Sequence, residues 1–388
     1  MAYTAPGTAV AGDVLTAAFW NQQVRDNMEA VAGPPFARNI IYNGAMQIAQ
    51  RGTSTASITT QGYYTADRWS VGINTHGTWT QSVENDAPTG SGFRKSLKML
   101  CTTADASPAA ADRILIQQPL EGLDLQRIAK GTSSAQELTL SFWVKSNVTG
   151  TYIASLYDNN NTRHVSKTYT ISASATWEKK TITFPADTTG AFTNDNAASL
   201  YLVLYLGAGS NWTSGTLATS WASFVAANDA TGQTNLAAAT NNYWQVTGVQ
   251  LETGSVATPF EFLPYGEDLR RCQRYYQRFV ASTVYGRFAV GQSYSGTGHF
   301  WLLHFPTTMR IAPSSIDTTG LVASNFAITT NTGGTQALNT LPVLASTANT
   351  PNSAYMEGTT AAGGTTGAAT MLIANNLATA FLGFSAEL

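Results

Sequence analysis

The sequence predicts a mainly β protein. It has a short N-terminal helix, a central antiparallel jelly-roll β-sandwich and a C-terminal β-rich tip domain. Three observations predict this. Charged residues make up only 11% of the 388, against roughly 25% in an ordinary soluble domain; Thr, Ser, Asn, Gln and Gly replace them, and β-branched side chains suit a pleated surface. Short apolar-alternating runs recur along the chain between turn residues, the pattern of half-buried strands. Helical periodicity is sparse.

Residues 1–35 form the first expected unit. Thr16 can cap a helix running from about Ala17 to Val31, with Trp20, Val24, Met28 and Val31 in one narrow stripe. Ala32-Gly33-Pro34-Pro35 then stops it. An isolated helix this short is marginal in water. The stripe therefore needs cover, either from its own domain or from two further copies packed about one axis, as in a short coiled coil.

Residues 36–265 form the second expected unit. Asn39 to Gly52 reads as a strand with a turn at Asn43-Gly44, a strong turn dipeptide. Further strands are expected at Thr78–Val83, Ser96–Cys101, Arg113–Gln118, Leu138–Lys145, Tyr152–Tyr157, Val165–Ile171, Trp177–Phe184, Ser199–Leu206 and Tyr243–Leu251. In the run from Leu138, the residues Leu138, Leu140, Phe142 and Val144 share a face. About ten short strands with turn-rich links indicate a jelly-roll sandwich. Pro259, Pro264 and Gly266 mark a corner, followed by a short charged helical turn through Arg270, Arg271, Cys272 and Arg274.

Residues 266–388 form the third. Between Phe279 and Leu388 the only charged side chains are Arg287, Arg310, Asp317, Glu357 and Glu387. A domain so short of charge should associate unless much of its surface is covered, which suits a homotrimeric knob. Strands are expected at Val280–Val290, His299–Phe305, Phe326–Thr330, Met371–Ala374 and Ala380–Ser385, with loops at Gly333-Gly334 and Gly363-Gly364.

Several function classes are disfavoured. A formal net charge of −2 lacks the basic surplus of a nucleic-acid binder. Cys101 and Cys272 are far apart, in no metal or disulfide-framework spacing. The N-terminus shows no secretory signal, and no apolar run approaches the roughly 18 residues of a membrane span. Gly291-Gln292-Ser293-Tyr294-Ser295 fails GxSxG at Ser295. Gly207-Ala208-Gly209-Ser210-Asn211-Trp212 lacks the third Gly of a dinucleotide loop. His299 and His304, five apart on a strand, should face opposite ways and share no metal. No catalytic residues and no cofactor are assigned. The calcium candidate is the oxygen-rich loop Asp158–Thr162, which lacks the Gly and terminal Glu of an EF-hand and reads as an Asn-rich hairpin turn. The metal question stays open.

Three strings carry a family resemblance: Asn43-Gly44-Ala45-Met46-Gln47-Ile48-Ala49-Gln50-Arg51-Gly52, Tyr64-Thr65-Ala66-Asp67-Arg68-Trp69, and the stretch from Trp244 to Gly254 that runs on to Tyr276. Together they resemble the tail-fibre and minor virion proteins of tailed bacteriophages, whose central domains are similar to carbohydrate-binding-module sandwiches. The segment from Val10 to Val31 resembles their N-terminal virion-joining piece. The resemblance implies a non-enzymatic virion protein, made in the host cytoplasm and carried on the phage particle. It implies a homotrimer that joins other tail or baseplate proteins through residues 1–35 and attaches to host-surface glycan; the charge and hydropathy readings add an expectation of no nucleic acid and no membrane insertion. Alternatives are a head-fibre, decoration or baseplate protein without a receptor, and a capsule depolymerase. Sugar sites combine aromatic rings with amide or carboxylate partners. Aromatic residues in turns are therefore the ligand candidates: Trp212, Tyr294 and Tyr355.

Overall fold

The computed structural model describes residues 16–20, 38–329, 333–345 and 348–388. Helix α1 (Ala17–Trp20) begins at Thr16, whose hydroxyl accepts the Phe19 amide at 3.1 Å. Trp20 is exposed; Val24, Met28 and Val31 lie outside the described residues. Among the described residues no helix is long and apolar enough to cross a membrane. The chain separates into two compact units, Met1–Pro264 and Tyr265–Leu388.

The first unit contains β1 (Ser54–Ile58), β2 (Gly62–Tyr63), β3 (Ser70–Asn74), β4 (Thr78–Glu84), β5 (Ser96–Thr103), β6 (Arg113–Glu121), β7 (Leu138–Ser146), β8 (Gly150–Asp158), β9 (Arg163–Ile171), β10 (Glu178–Phe184), β11 (Ala198–Ala208), β12 (Ala222–Ser223) and β13 (Tyr243–Thr253). They form two antiparallel sheets, ordered β1-β4-β5-β13-β7-β10 and β12-β9-β8-β11-β6-β3-β2. The predicted alternation explains their packing. Leu138, Leu140, Phe142 and Val144 of β7 are all buried. Phe142 meets Tyr169 of the other sheet edge-on, with ring centroids 5.1 Å apart. The Trp244 indole N–H donates to the Tyr169 hydroxyl at 3.2 Å. The core therefore lies between the two sheets, as in a sandwich.

The expected strand at Asn39–Gly52 does not form. Side chains capture its backbone before a ladder can. Asn43, at φ 51°, donates to the carbonyls of Ile48 and Asp67 and accepts the Ile48 amide. Asp67 accepts the Gln50 amide, and Arg68, fully buried, donates to the Pro119 carbonyl. Gly44 is required because a Cβ there would lie 2.1 Å from the Val249 carbonyl oxygen. The Asn39 amide side chain bridges to the Val249 carbonyl and the Leu251 amide. The three resemblance strings thus meet in one buried polar corner.

The outer face of the seven-stranded sheet is covered by the chain's own segment 209–242. Leu115, Ile153, Val203 and Tyr205 pack there against Ala230, Trp212 and Leu217. Asp229 pins the segment. Its buried carboxylate accepts hydrogen bonds from Ser155, Ser166 and Tyr205 and pairs with His164 Nδ1 at 2.8 Å.

The second unit opens with α2 (Tyr265–Gln273), whose Glu267 pairs with Arg270 one turn later. Its strands are β14 (Tyr276–Val280), β15 (Arg287–Ser293), β16 (Gly298–His304), β17 (Ile316–Asp317), β18 (Phe326–Thr329), β19 (Thr335–Ala337), β20 (Val343–Leu344), β21 (Ser353–Thr359), β22 (Ala369–Ala374) and β23 (Phe381–Ser385). They form a three-stranded sheet, β14-β23-β17, and a seven-stranded sheet, β19-β18-β22-β15-β16-β21-β20. The single strand expected at Val280–Val290 is instead two strands in two sheets. A turn with Ser282 and Tyr285 at positive φ divides it, and Gly286 passes where a Cβ would lie 2.4 Å from the Ala281 carbonyl. The core gathers Trp301, Leu303, Met309, Phe326, Ile328, Met356, Leu372, Leu382 and Phe384.

Candidate functional site

Strand alternation sends one set of side chains in the seven-stranded sheet of the second unit to this core and the other set outward. Trp301 and Leu303 of β16 are buried, while Phe300, Leu302 and His304 are not. On β21, Ala354, Met356 and Gly358 are buried, while Tyr355 and Glu357 are partly exposed. The register aligns these outward residues in rows. Met371, Val290, Leu302 and Tyr355 pair in sequence across β22, β15, β16 and β21. Ala369, Gln292, Phe300, Glu357 and Val343 form the adjacent row. Val290 is 66% exposed, Val343 55% and Leu302 40%. Soluble proteins rarely leave such a contiguous apolar face bare.

A line of aromatic rings crosses this face diagonally. Tyr294, in the turn after β15, lies nearly parallel to Phe300, with ring centroids 6.4 Å apart and planes 14° apart. Phe300 lies nearly parallel to Tyr355 at 5.2 Å and 27°. The turn is fixed by the Tyr294 amide donating to the Gly298 carbonyl at 3.0 Å and by Ser295 accepting the Gly298 amide at 2.8 Å. Gly298 is needed because a Cβ would sit 2.4 Å from the Tyr294 ring. The stack presents ring edges, two phenol hydroxyls and the outer faces of its end rings. Glu357 and Gln292 add a carboxylate and an amide beside Phe300. Burial, the Glu357 carboxylate and Tyr294 push the Tyr355 hydroxyl pKa up, so it stays a protonated donor at neutral pH.

Two of the three ligand candidates, Tyr294 and Tyr355, are therefore joined by Phe300. Tyr355 sits in a strand rather than the expected turn, because Ser353–Thr359 alternates inward Ala, Met and Gly with outward polar and aromatic residues. Trp212 belongs to the first unit. Its indole stacks under the Arg113 guanidinium, 4.1 Å from the ring centroid, and donates to the Ala111 carbonyl at 3.4 Å. It packs the covering segment onto the sheet. Phe300 escaped the sequence reading because Gly298–His304 is apolar on both faces, which hides the outward side.

The remaining polar clusters are largely paired within the fold, with the buried His76 Nε2 an exception. Beside the Asp158–Thr162 turn the Lys130 nitrogen lies 2.6 Å from Asp158 Oδ2 and 2.8 Å from the Thr189 and Gly190 carbonyls. Residues 159–162 form the hairpin turn between β8 and β9, as the Asn-rich run suggests. Among the described residues His76, Asp105 and Asp112 could offer a metal one nitrogen and two carboxylates within 4.8 Å of one another. His76 Nδ1 already engages Asp105 at 2.7 Å, and Asp112 accepts Thr75 and the Ala109 amide. In the second unit Ser293 Oγ meets His299 Nδ1 at 2.9 Å, and His299 Nε2 meets Thr360 at 2.9 Å. All three are buried, and burial holds the His299 pKa down. They make a structural relay, away from His304 on the exposed face.

No protein-family model matches the chain, and no curated protein matches it. Among solved structures, the chain is similar to the enzymatically active domain of tailspike protein 4 of bacteriophage CBA120, at 14% identity and a TM-score of 0.29, over 56% of this chain and 21% of that one. The chain thus spans about a fifth of the tailspike domain. It is also similar to the family 11 carbohydrate-binding module of a cellulosomal cellulase of Clostridium thermocellum, at 10% identity and a TM-score of 0.27, over 52% of this chain and 99% of that module. A third is the N-terminal cellulose-binding domain of Cellulomonas fimi β-1,4-glucanase C, at 13% identity and a TM-score of 0.26, over 54% and 100%.

Proposed function

We propose that the protein is a bacteriophage virion adhesin of tail-fibre type, attaching to host-surface glycan through the outer sheet face of its second unit. The observation that carries the reading is the Tyr294–Phe300–Tyr355 line with Glu357 and Gln292 beside it. A pyranose offers an apolar C–H face to a ring and hydroxyls to carboxylate and amide groups. The virion setting rests on the three resemblance strings. Single contacts of this kind are weak, and several copies per particle would raise avidity without new contacts. The test is binding of the full chain to a panel of bacterial surface polysaccharides and to whole bacteria. The paired substitution Tyr294→Ala and Tyr355→Ala should abolish retention on a positive surface while leaving the thermal midpoint nearly unchanged. Retention equal to that of the parent would sink the site.

The aliphatic row Val290–Leu302–Met371 favours a second reading. Here the same face meets further copies of the chain, as in a homotrimeric knob. Glu357 is the one charged side chain in the two rows, so self-contact brings little like-charge repulsion. Mass by light scattering separates the readings: a trimer that falls to monomer on Val290→Lys supports the second, and a monomeric parent removes it.

A further inference from the structure

Lys130, Asp158 and Asp187 meet inside the first unit, away from the face described above. The Lys130 nitrogen lies 2.6 Å from Asp158 Oδ2 and 3.0 Å from Asp187 Oδ2, and the three side chains are 2%, 0% and 4% exposed. The rings of Phe192 and Trp221 flank the nitrogen at 5.3 and 5.2 Å. Arg163 grips Asp187 with two hydrogen bonds, at 2.9 and 3.1 Å. Gly190, at positive φ, lets the 187–192 loop close over the site, where a Cβ would lie 2.4 Å from Asn161.

Charge at such depth is costly, and proton transfer between a buried amine and a buried carboxyl removes it from both. Burial alone would raise the Asp187 pKa, but hydrogen bonds from Arg163 and Lys130 hold it below the usual carboxylate range. Asp158 carries no guanidinium and accepts the Asn161 backbone amide at 3.1 Å and side-chain amide at 2.9 Å. The site therefore sets the Lys130 nitrogen directly against the Asp158 carboxyl, with the Asp187 carboxylate touching the same nitrogen and aromatic walls excluding water.

We propose that Lys130 and Asp158 condense into a side-chain amide, a covalent cross-link within the sandwich. One proton passes from the Lys130 nitrogen to the Asp158 carboxyl, the Lys130 Nζ–Asp158 Cγ bond forms and the Cγ–OH bond breaks. Asp187 takes a proton from the nitrogen and returns it to the departing hydroxyl, which leaves as water. Nothing is oxidised or reduced, and no co-reactant is needed. The remaining N–H donates to the Thr189 or Gly190 carbonyl. The link ties the turn before β7 to the end of β8, which should resist pulling and proteolysis.

The test is the intact mass of the purified full chain. A mass lower than the sequence mass by one water, with a protease-resistant peptide pair joined at Lys130 and Asp158, is the expected result. The full sequence mass, with Lys130 and Asp158 in separate unmodified peptides, overturns the proposal. Lys130→Arg should show its full sequence mass. Asp187→Asn should also show its full mass, or reach the reduced mass only slowly; a parent-like rate in that variant would exclude the proton-transfer role of Asp187.

Discussion

The two units treat an outward sheet face in opposite ways. In the first unit, segment 209–242 lies over the seven-stranded sheet and buries Asp229 against four side-chain partners. In the second, among the described residues no equivalent layer lies over β15, β16 and β21, and Val290 and Leu302 stay exposed beside the aromatic line. A face that carries its own cover is finished when the chain folds. A bare apolar face is finished by something else, and that is why the site is placed there.

The largest expected effect comes from unpinning the covered face. Asp229→Ala leaves buried donors on Ser155, Ser166, Tyr205 and His164 without their acceptor. Loss of one partner of a buried pair costs about 3–5 kcal/mol, measurable as a shift in the denaturant midpoint of the first unit. A shift under about 1 kcal/mol, the size of an ordinary single mutation, would show that the cover is not pinned by this residue.

The same pin predicts an acid limit. Burial alone would raise the Asp229 pKa, but hydrogen bonds from His164, Tyr205 and Ser155 hold it below the ordinary value. A carboxyl depressed in the folded state contributes fully above its unfolded value of about 3.9. That contribution is lost as pH falls through the lower folded value. The thermal midpoint of the parent should therefore drop below about pH 4, and Asp229→Asn should flatten that drop while lying lower throughout. A parallel pair of curves would assign the acid limit elsewhere.

Next in size are changes to the bare face. Tyr355→Ala should weaken glycan binding about fivefold, since a stacked aromatic contact is worth roughly 1 kcal/mol. Its effect on stability should be small, because the ring is partly exposed. Trp212→Ala makes the smallest functional change: it loosens the cover of the first unit and leaves glycan affinity where it was. If Trp212→Ala weakened binding as much as Tyr355→Ala, the contrast between covered and bare faces would fail.

Most strands were legible in the sequence because alternation survives wherever one face is wetter than the other, as in β4 and β5. The exceptions have physical causes. Asn39–Gly52 reads as a strand, but Asn43 and Asp67 bond its backbone and bend it into a corner. Val280–Val290 reads as one strand because its apolar run hides the positive-φ turn at Ser282 and Tyr285. For the site, Tyr294 was visible from its Gly-rich turn. Phe300 was not, because β16 is apolar on both faces, and Tyr355 was misplaced because inward Ala354 and Gly358 are too small to mark a strand. Trp212 had the same turn signal as Tyr294, yet the chain uses it for packing.

The central claim is that the bare face of the second unit holds host-surface glycan. The most direct measurement is retention of the full chain on whole bacteria and immobilised bacterial polysaccharides, compared between the parent and the variant carrying Tyr294→Ala and Tyr355→Ala. Retention of the parent on at least one surface, lost in the variant at an unchanged thermal midpoint, is the predicted result. Equal retention of both proteins, or retention of neither on any surface, would contradict it.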